Sequence, residues 1–387
     1  MYPALEKSRP QELSKVWAKR EEAQGHPIPP VYRGETSFLA AARERVNSHL
    51  THGVMRRYIR FYGKAVVICV WFFASYVLLL TISDSAVRLA LCVSLGLAAC
   101  AAGANIFHEA IHGSFSRSRK VNTIVSVLIS TVLGASRYMW WYKHQVLHHR
   151  FTNIFRWDDD LETRGWLRLS HQQPWSSIYR YQHWYFPVLY GLATLEWAFI
   201  KDFVWYFTMR INPYQRIPKM SRTQHVEFWV SKCSNFALFI ALPLFFASPL
   251  HVVLGLLCFH ITFGLSLTLI FQVPHQVETA TFPSPSGDPP VIKEEWAIHE
   301  LRTTSNFAVH SRFLKFFAGG LNFHIEHHLF PRLNHSCYPE ISESVRTTAD
   351  EYGLPYHVYD TYLQILVSHY RFLRELGRPP SAEISHS

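Results

Sequence analysis

Four long stretches almost without charge decide what this chain can fold into. Residues 65–83 (AVVICVWFFASYVLLLTIS) carry no charged side chain, and residues 86–107 carry only Arg88. Residues 228–248 carry only Lys232, and residues 250–273 carry no Asp, Glu, Lys or Arg. Apolar runs longer than about 18 residues read as helices that cross a bilayer, because in lipid the backbone must satisfy its own hydrogen bonds. The expected fold is therefore an all-α integral membrane protein with four transmembrane helices.

Against that frame stand nine histidines in four short stretches. His108 and His112 lie in H-E-A-I-H, and His144, His148 and His149 in H-Q-V-L-H-H. His275 follows the last apolar run, and His324, His327 and His328 lie in H-I-E-H-H. Neutral imidazole ligates iron, zinc or copper. Nine imidazoles are too many for one ion at about four to six ligands each, so the pattern asks for two metals. On a helix, His108 and His112 share one face, as do His144 and His148. His149 and His328 are rotated by roughly 100° from their neighbours, so each H-H pair suits a bridge between two ions. The other 14 of the 23 histidines, among them His26, His49, His52, His171, His183, His225 and His386, show no such grouping.

One shared site constrains the topology. All three boxes must lie on one side of the membrane, so an even number of crossings separates the second from the third. The runs at 228–248 and 250–273 supply two. Residues 184–208 are apolar but hold Glu196, Lys201 and Asp202, and are expected to lie in the interface. Residues 121–135 are too short to span and separate boxes one and two, so they too read as interfacial. The expected domains are an N-terminal cytosolic segment (1–63), a membrane domain (64–337) and a helical cytosolic tail (338–387). Residues 279–293 (TATFPSPSGDPPVIK) read as a loop.

Arg88 is the only Lys or Arg near the two short far-side connections, and 37 of the 38 basic residues fall on the side of the boxes. That asymmetry places the boxes and both termini in the cytoplasm. The first 60 residues are charged and show no signal-peptide pattern. The net charge of +10 suits anionic lipid headgroups or an acidic acyl carrier; nucleic-acid binding has no support beyond it. Five of the six cysteines lie in apolar runs, Cys337 being the exception, and no C-x-x-C pair suggests a disulfide framework or zinc ribbon.

A two-metal, all-nitrogen site beside a bilayer points to oxidation of a lipid. Side-chain acids and bases cannot remove hydrogen from an unactivated C–H bond at pH 7, so iron and O2 must carry that step. Each imidazole's other nitrogen needs a partner. Glu109, Glu326 and the run Asp158, Asp159 and Asp160 lie beside the boxes and are the expected partners. Trp140, Trp141 and Tyr142 precede the second box, as lining of an acyl path or as interfacial anchors.

The three boxes, in order on four spans, resemble the membrane fatty acid desaturase family over residues 38–375. The flanks W-Y-K-H-Q-V-L-H-H-R-F-T-N-I and G-G-L-N-F-H-I-E-H-H-L-F-P are similar to the branch with bacterial acyl-lipid and acyl-CoA desaturases and front-end enzymes. The resemblance implies a di-iron centre, O2 as co-substrate and a kinked acyl tunnel. It also implies an extra ligand after the fourth span, where His275 stands, with Gln272 beside a water on the metal. Two features depart from many front-end members. The third box begins with His324 rather than Gln, and there is no fused cytochrome b5 motif, since His26-Pro27 is followed by Ile-Pro. The implied electron donor is then a separate ferredoxin, rubredoxin or cytochrome b5, and the acyl substrate an acyl-CoA, an acyl carrier protein or a glycerolipid. A lipid hydroxylase or acetylenase with similar boxes remains an alternative. A metal transporter is a second, but transporters hold ligands near the midplane, where only His260 stands.

Overall fold

The computed structural model describes residues 29–33, 37–50 and 54–380. His26, Pro27, His52 and His386, together with 1–28, 34–36 and 51–53 of the expected N-terminal segment, lie outside these. Helix α1 (Ser37–His49) leads into α2 (Val54–Thr81), and a short turn leads into α3 (Ser85–His112). Helices α4 (Arg119–Leu133) and α5 (Arg137–Phe151) follow, then α6 over residues 182–208. Helices α7 (Arg222–Phe245) and α8 (Pro249–His275) form a second hairpin. The chain ends in α9 (Trp296–Thr303), α10 (Arg312–Phe317), α11 (His324–Leu329), α12 (Tyr338–Glu351) and α13 (Tyr362–Leu376). Two parallel pairs of two-residue strands join distant segments: β1 (Val31–Tyr32) with β2 (Val291–Ile292), and β3 (Asn306–Phe307) with β4 (Val358–Tyr359).

The protein is thus an all-α membrane protein. Among the described residues four helices, α2, α3, α7 and α8, are long and apolar enough to cross a bilayer. Helices α3 and α8 continue past the apolar runs and end in His112 and His275. Asp84 starts α3 by accepting the Val87 N–H, and Gly113 stops it with a left-handed φ of 77°. Helices α3 and α8 pack closely because Gly96 has no side chain: a Cβ there would stand 2.8 Å from the Phe259 carbonyl oxygen.

Helices α4 and α5 meet at 111° around Gly134, at φ 72°. A Cβ on Gly134 would lie 2.6 Å from Asn235. The bend folds the 119–133 helix back instead of carrying it onward, and it aims α5 at the histidine cluster. The expected α-helical spacing of His144 and His148 does not form: residues Tyr142–His148 adopt the wider π turn, as do Gly103–Phe107 just before box one. One extra residue per turn re-aims the side chains that follow by roughly 100°.

Helix α6 shows where the charges of its apolar run go. Trp184, Val188, Leu192, Ile200, Val204 and Phe207 form an exposed apolar stripe. On the inner side Asp202, fully buried, meets Lys232 of α7 at 2.7 Å. Lys201 reaches Asp159 at 3.2 Å, and Glu196 pairs with Arg164 at 3.2 Å. Gly264 of α8 lets α6 cross it, since a Cβ there would lie 2.5 Å from the Gly191 carbonyl oxygen.

The remaining helices form a cap on the side of the boxes. Its core joins Phe38 and Val46 of α1 to Leu301, Leu329, Ile341 and Val345. Arg45 ties α1 to Glu351 of α12 at 3.0 Å.

Candidate metal centre

Four elements deliver the nine box histidines to one place. Helix α3 carries His108 and His112 at its end, and α5 carries His144, His148 and His149. Helix α8 ends in His275, and the six-residue α11 carries His324, His327 and His328. All nine are buried, none more than 6% exposed.

The ring nitrogens fall into overlapping groups. Ligand atoms of His108, His112, His144 and His327 lie within 4.8 Å of one another, as do those of His148, His275 and His328. His149, with His327 and His328, forms a third set between them. His324 joins the second group, with its Nε2 2.9 Å from the Nε2 of His275. On the first side, the Nε2 atoms of His108 and His144 are 3.0 Å apart, and those of His144 and His149 are 3.2 Å apart.

The outward nitrogens define which face of each ring looks inward. His275 donates its Nδ1–H to the Thr303 carbonyl oxygen and His324 to that of Leu321, each at 3.0 Å. His148 Nδ1 lies 3.1 Å from Asp158 and 3.1 Å from Asp160. His328 donates to Glu300 at 2.6 Å, and His327 Nδ1 sits 3.2 Å from the Tyr338 hydroxyl. Carbonyl and carboxylate oxygens only accept, so the Nδ1 atoms of His148, His275, His324 and His328 carry the protons and their Nε2 atoms point at the cluster.

That arrangement fits metal ions. The Nε2 atoms of His112, His327 and His328 are buried without any hydrogen-bond partner, an arrangement that costs free energy unless a cation accepts the lone pairs. Burial holds the imidazoles of His144, His149, His324, His327 and His328 well below their ordinary pKa, keeping them in the neutral form that ligates. His148 is the exception. Burial would lower it too, but the carboxylates of Asp158 and Asp160 prevail and raise it.

The acidic and amide side chains expected beside the boxes fall in different places. Asp158 lies on His148 and also accepts the backbone N–H of Asn153 at 2.8 Å. Glu109 instead binds Ser114 (2.8 Å), Asn334 (2.9 Å) and His335 (3.1 Å). Asp159 faces Lys201, and burial raises its carboxyl to about 6 against the pull of Lys201 and Lys143. Glu326 accepts from Asn306 (2.8 Å) and Tyr356 (2.7 Å), and burial raises it to about 7. Gln272 donates to the Asp160 carbonyl oxygen at 3.0 Å. These four brace the walls of the cluster rather than touching a box imidazole.

Glu300, Thr303 and Tyr338 escaped sequence reasoning. A faint signal for Glu300 existed: it shares the apolar face of α9 with Trp296, Ala297 and Leu301, where a carboxylate is out of place unless paired. Trp140 stacks on His144 at 4.3 Å and Phe271 stands edge-on to His108 at 5.3 Å, giving the cluster an apolar wall. His260 lies apart from the cluster, 3.1 Å from the Thr194 hydroxyl.

A family model described as fatty acid desaturase matches residues 84–360. The chain is 31% identical over 349 residues to the sn-1 linoleoyl-lipid 6-desaturase of Synechocystis sp., covering 88% of this chain and 96% of that protein. It is 33% identical over 347 residues to the acyl-lipid (8-3)-desaturase of Physcomitrium patens, covering 88% and 72%. With the acyl-lipid (8-3)-desaturase of Mortierella alpina it shares 28% over 365 residues, covering 92% and 81%.

Proposed function

The chain belongs to the fatty acid desaturase family, and from that premise we propose that it desaturates the acyl chain of a membrane lipid at two iron ions held by nine histidines. It is an oxidoreductase. Its reaction converts an acyl CH2–CH2 unit, O2, two electrons and two protons into CH=CH and two waters. When bound, iron supplies the power to oxidise an unactivated C–H bond, which acid–base side chains lack.

His108, His112, His144 and His327 would hold one ion, and His148, His275, His324 and His328 the other, with His149 between them. Asp158 and Glu300 orient His148 and His328. Trp140 and Phe271 keep water from the apolar side, where a methylene must approach.

The observation that carries this reading is the pair His275 and His324. Both donate Nδ1–H to carbonyl oxygens, so both present Nε2 lone pairs, yet these atoms lie 2.9 Å apart. Two such lone pairs repel unless a cation sits between them. Charge asymmetry supports a cytoplasmic location for the boxes and both termini. The names of the relatives support a glycerolipid-bound acyl chain as substrate, and the reaction's balance calls for a two-electron supply, for which ferredoxin, rubredoxin or cytochrome b5 is the proposed donor.

Elemental analysis of purified protein, followed by lipid-product analysis in cells expressing it, tests the reading. Two irons per chain and a new double bond are expected. One zinc, or a hydroxylated product alone, would overturn it.

A further inference from the structure

Beside the second histidine box the described residues bring several exposed basic side chains together. Residues 29–33, 143–157, 203–226 and 289–293 contain no Asp or Glu, and the fold brings their surfaces together. Strands β1 and β2 pair Tyr32 with Ile292, which sets the exposed Arg33 beside the exposed Lys293. Tyr32 donates its hydroxyl proton to the Arg150 carbonyl oxygen at 2.5 Å, joining this edge to the segment that follows His149. Phe151 packs on Trp157 at 5.1 Å, next to the exposed Arg156. The Arg156 guanidinium covers the Tyr214 ring at 5.1 Å, and Gln215 donates to the Arg156 carbonyl oxygen at 3.3 Å. That contact adds Arg210 and Arg216 to the same face. Of the bordering carboxylates, Glu294 is tied to Arg302, Glu295 is half-buried and Asp288 is exposed.

This face is also joined to the segment that carries the second histidine box. Arg150 is the residue after His149. Trp296, half-buried at the start of α9, donates its indole N–H to the His149 carbonyl oxygen at 3.0 Å. Electrons from outside must reach the histidine cluster, and Trp296 and Tyr32 tie this cationic surface to the backbone carbonyls of His149 and Arg150.

We infer that this face, centred on Arg33, Arg156 and Lys293, docks a small acidic one-electron carrier protein that delivers its electrons at the His149 end of the centre. The inference rests on the proposed desaturase reaction, whose balance requires two electrons. Encounters of this kind use small, wet, weakly held interfaces, under about 1,200 Å². Their speed comes from charge steering, which salt screens.

The test compares the wild type with a triple charge reversal, Arg33→Glu, Arg156→Glu and Lys293→Glu. Both are assayed with reduced plant-type ferredoxin and with reduced cytochrome b5 across donor concentration and salt. Both are also pre-reduced with dithionite and mixed with O2 in vesicles containing the acyl lipid. For at least one donor, KM is expected to rise about tenfold at low salt in the variant, and its salt dependence to flatten. The turnover at saturating donor and the dithionite-driven yield stay unchanged. An unchanged KM for both donors overturns the proposal. So does weaker vesicle binding or a raised KM for the acyl lipid with donor KM unchanged, which would assign the face to lipid headgroups. A wild type that makes no double bond even after dithionite reduction would bring down the reaction itself, and the docking role with it.

Discussion

Glu300 accepts the Nδ1–H of His328 at 2.6 Å, with neither side chain exposed. Burial pushes the Glu300 carboxyl well above its ordinary pKa, even though the Thr152 hydroxyl donates to it at 3.0 Å. A lone carboxylate in such a place is costly. A cation bound on the other side of the imidazole would reverse that balance, because a bound ion dominates the local electrostatics, and the pair would then act as an orienting clamp on His328.

Replacing Glu300 should loosen His328. Glu300→Ala is expected to lower iron affinity or turnover by about 10–100-fold, the usual loss when a partner of a metal-bound histidine is removed. Glu300→Gln keeps an acceptor oxygen and should lose less. Iron per chain and product yield, measured together, check this. Equal losses in both variants would point to packing rather than to the hydrogen bond.

Ligand substitutions should separate from wall substitutions. His148→Ala, His275→Ala and His327→Ala are expected to abolish turnover and lower iron content, with the protein still in the membrane. Glu326→Gln should be milder, because Glu326 binds Asn306 and Tyr356 rather than a box imidazole. Wild-type turnover in any of the three histidine variants would remove that residue from the ligand set.

Chelation should destabilise the fold. The nine imidazoles come from four separate elements, so metal bound only to the folded chain acts as a linkage. At a free metal concentration 100 times the dissociation constant the gain is about 2.7 kcal/mol for each ion bound. A thermal melt in detergent, with ferrous iron and after chelator, reads it. A Tm indifferent to chelator would mean that the cluster holds together without metal.

The local part of this architecture was legible in the sequence, and the long-range part was not. Apolar runs and H-x-x-x-H spacings are properties of neighbouring residues, so the four spans and three boxes could be read directly. Glu300 lies 28 residues from His328, and the carbonyl of Thr303 lies 28 residues from His275. Such partners are chosen by tertiary packing, on which the linear pattern is silent. Adjacency favoured Glu109 and Glu326, each next to a helical ligand and so pointing about 100° away from it, and Asp159, which lies in a separate short turn after box two. Those three accordingly found partners on other elements. The π turn over box two is likewise a choice of packing, since the spacing of His144, His148 and His149 is compatible with an ordinary α-helix. The charges within 184–208 were the sign of a polar inner face, which became readable once Lys232 supplied the partner.

That inner face carries the last prediction. Asp202 Oδ2 accepts from Lys232 at 2.7 Å and from the backbone N–H of Ser136 at 2.8 Å, while Oδ1 accepts from the Trp197 indole at 3.0 Å. Lys232 also donates to the Ala198 carbonyl oxygen at 2.9 Å. Ser136 caps α5, the helix that carries box two. One buried ion pair thus joins α6 and α7 to the start of a ligand-bearing helix. Lys232→Met leaves an unpaired buried carboxylate and is expected to cost about 3–5 kcal/mol. Adding Asp202→Asn removes that charge but keeps only one acceptor oxygen, so it can serve Ser136 or Trp197 and not both; the double variant should recover part of the lost stability. Iron retention should follow the same order: wild type, then the double variant, then Lys232→Met. Melting temperature and iron per chain, measured on all three, decide it. A double variant no better than the single one would show that the Lys232 contacts with Gly134 and Ala198 matter more than the charge on Asp202.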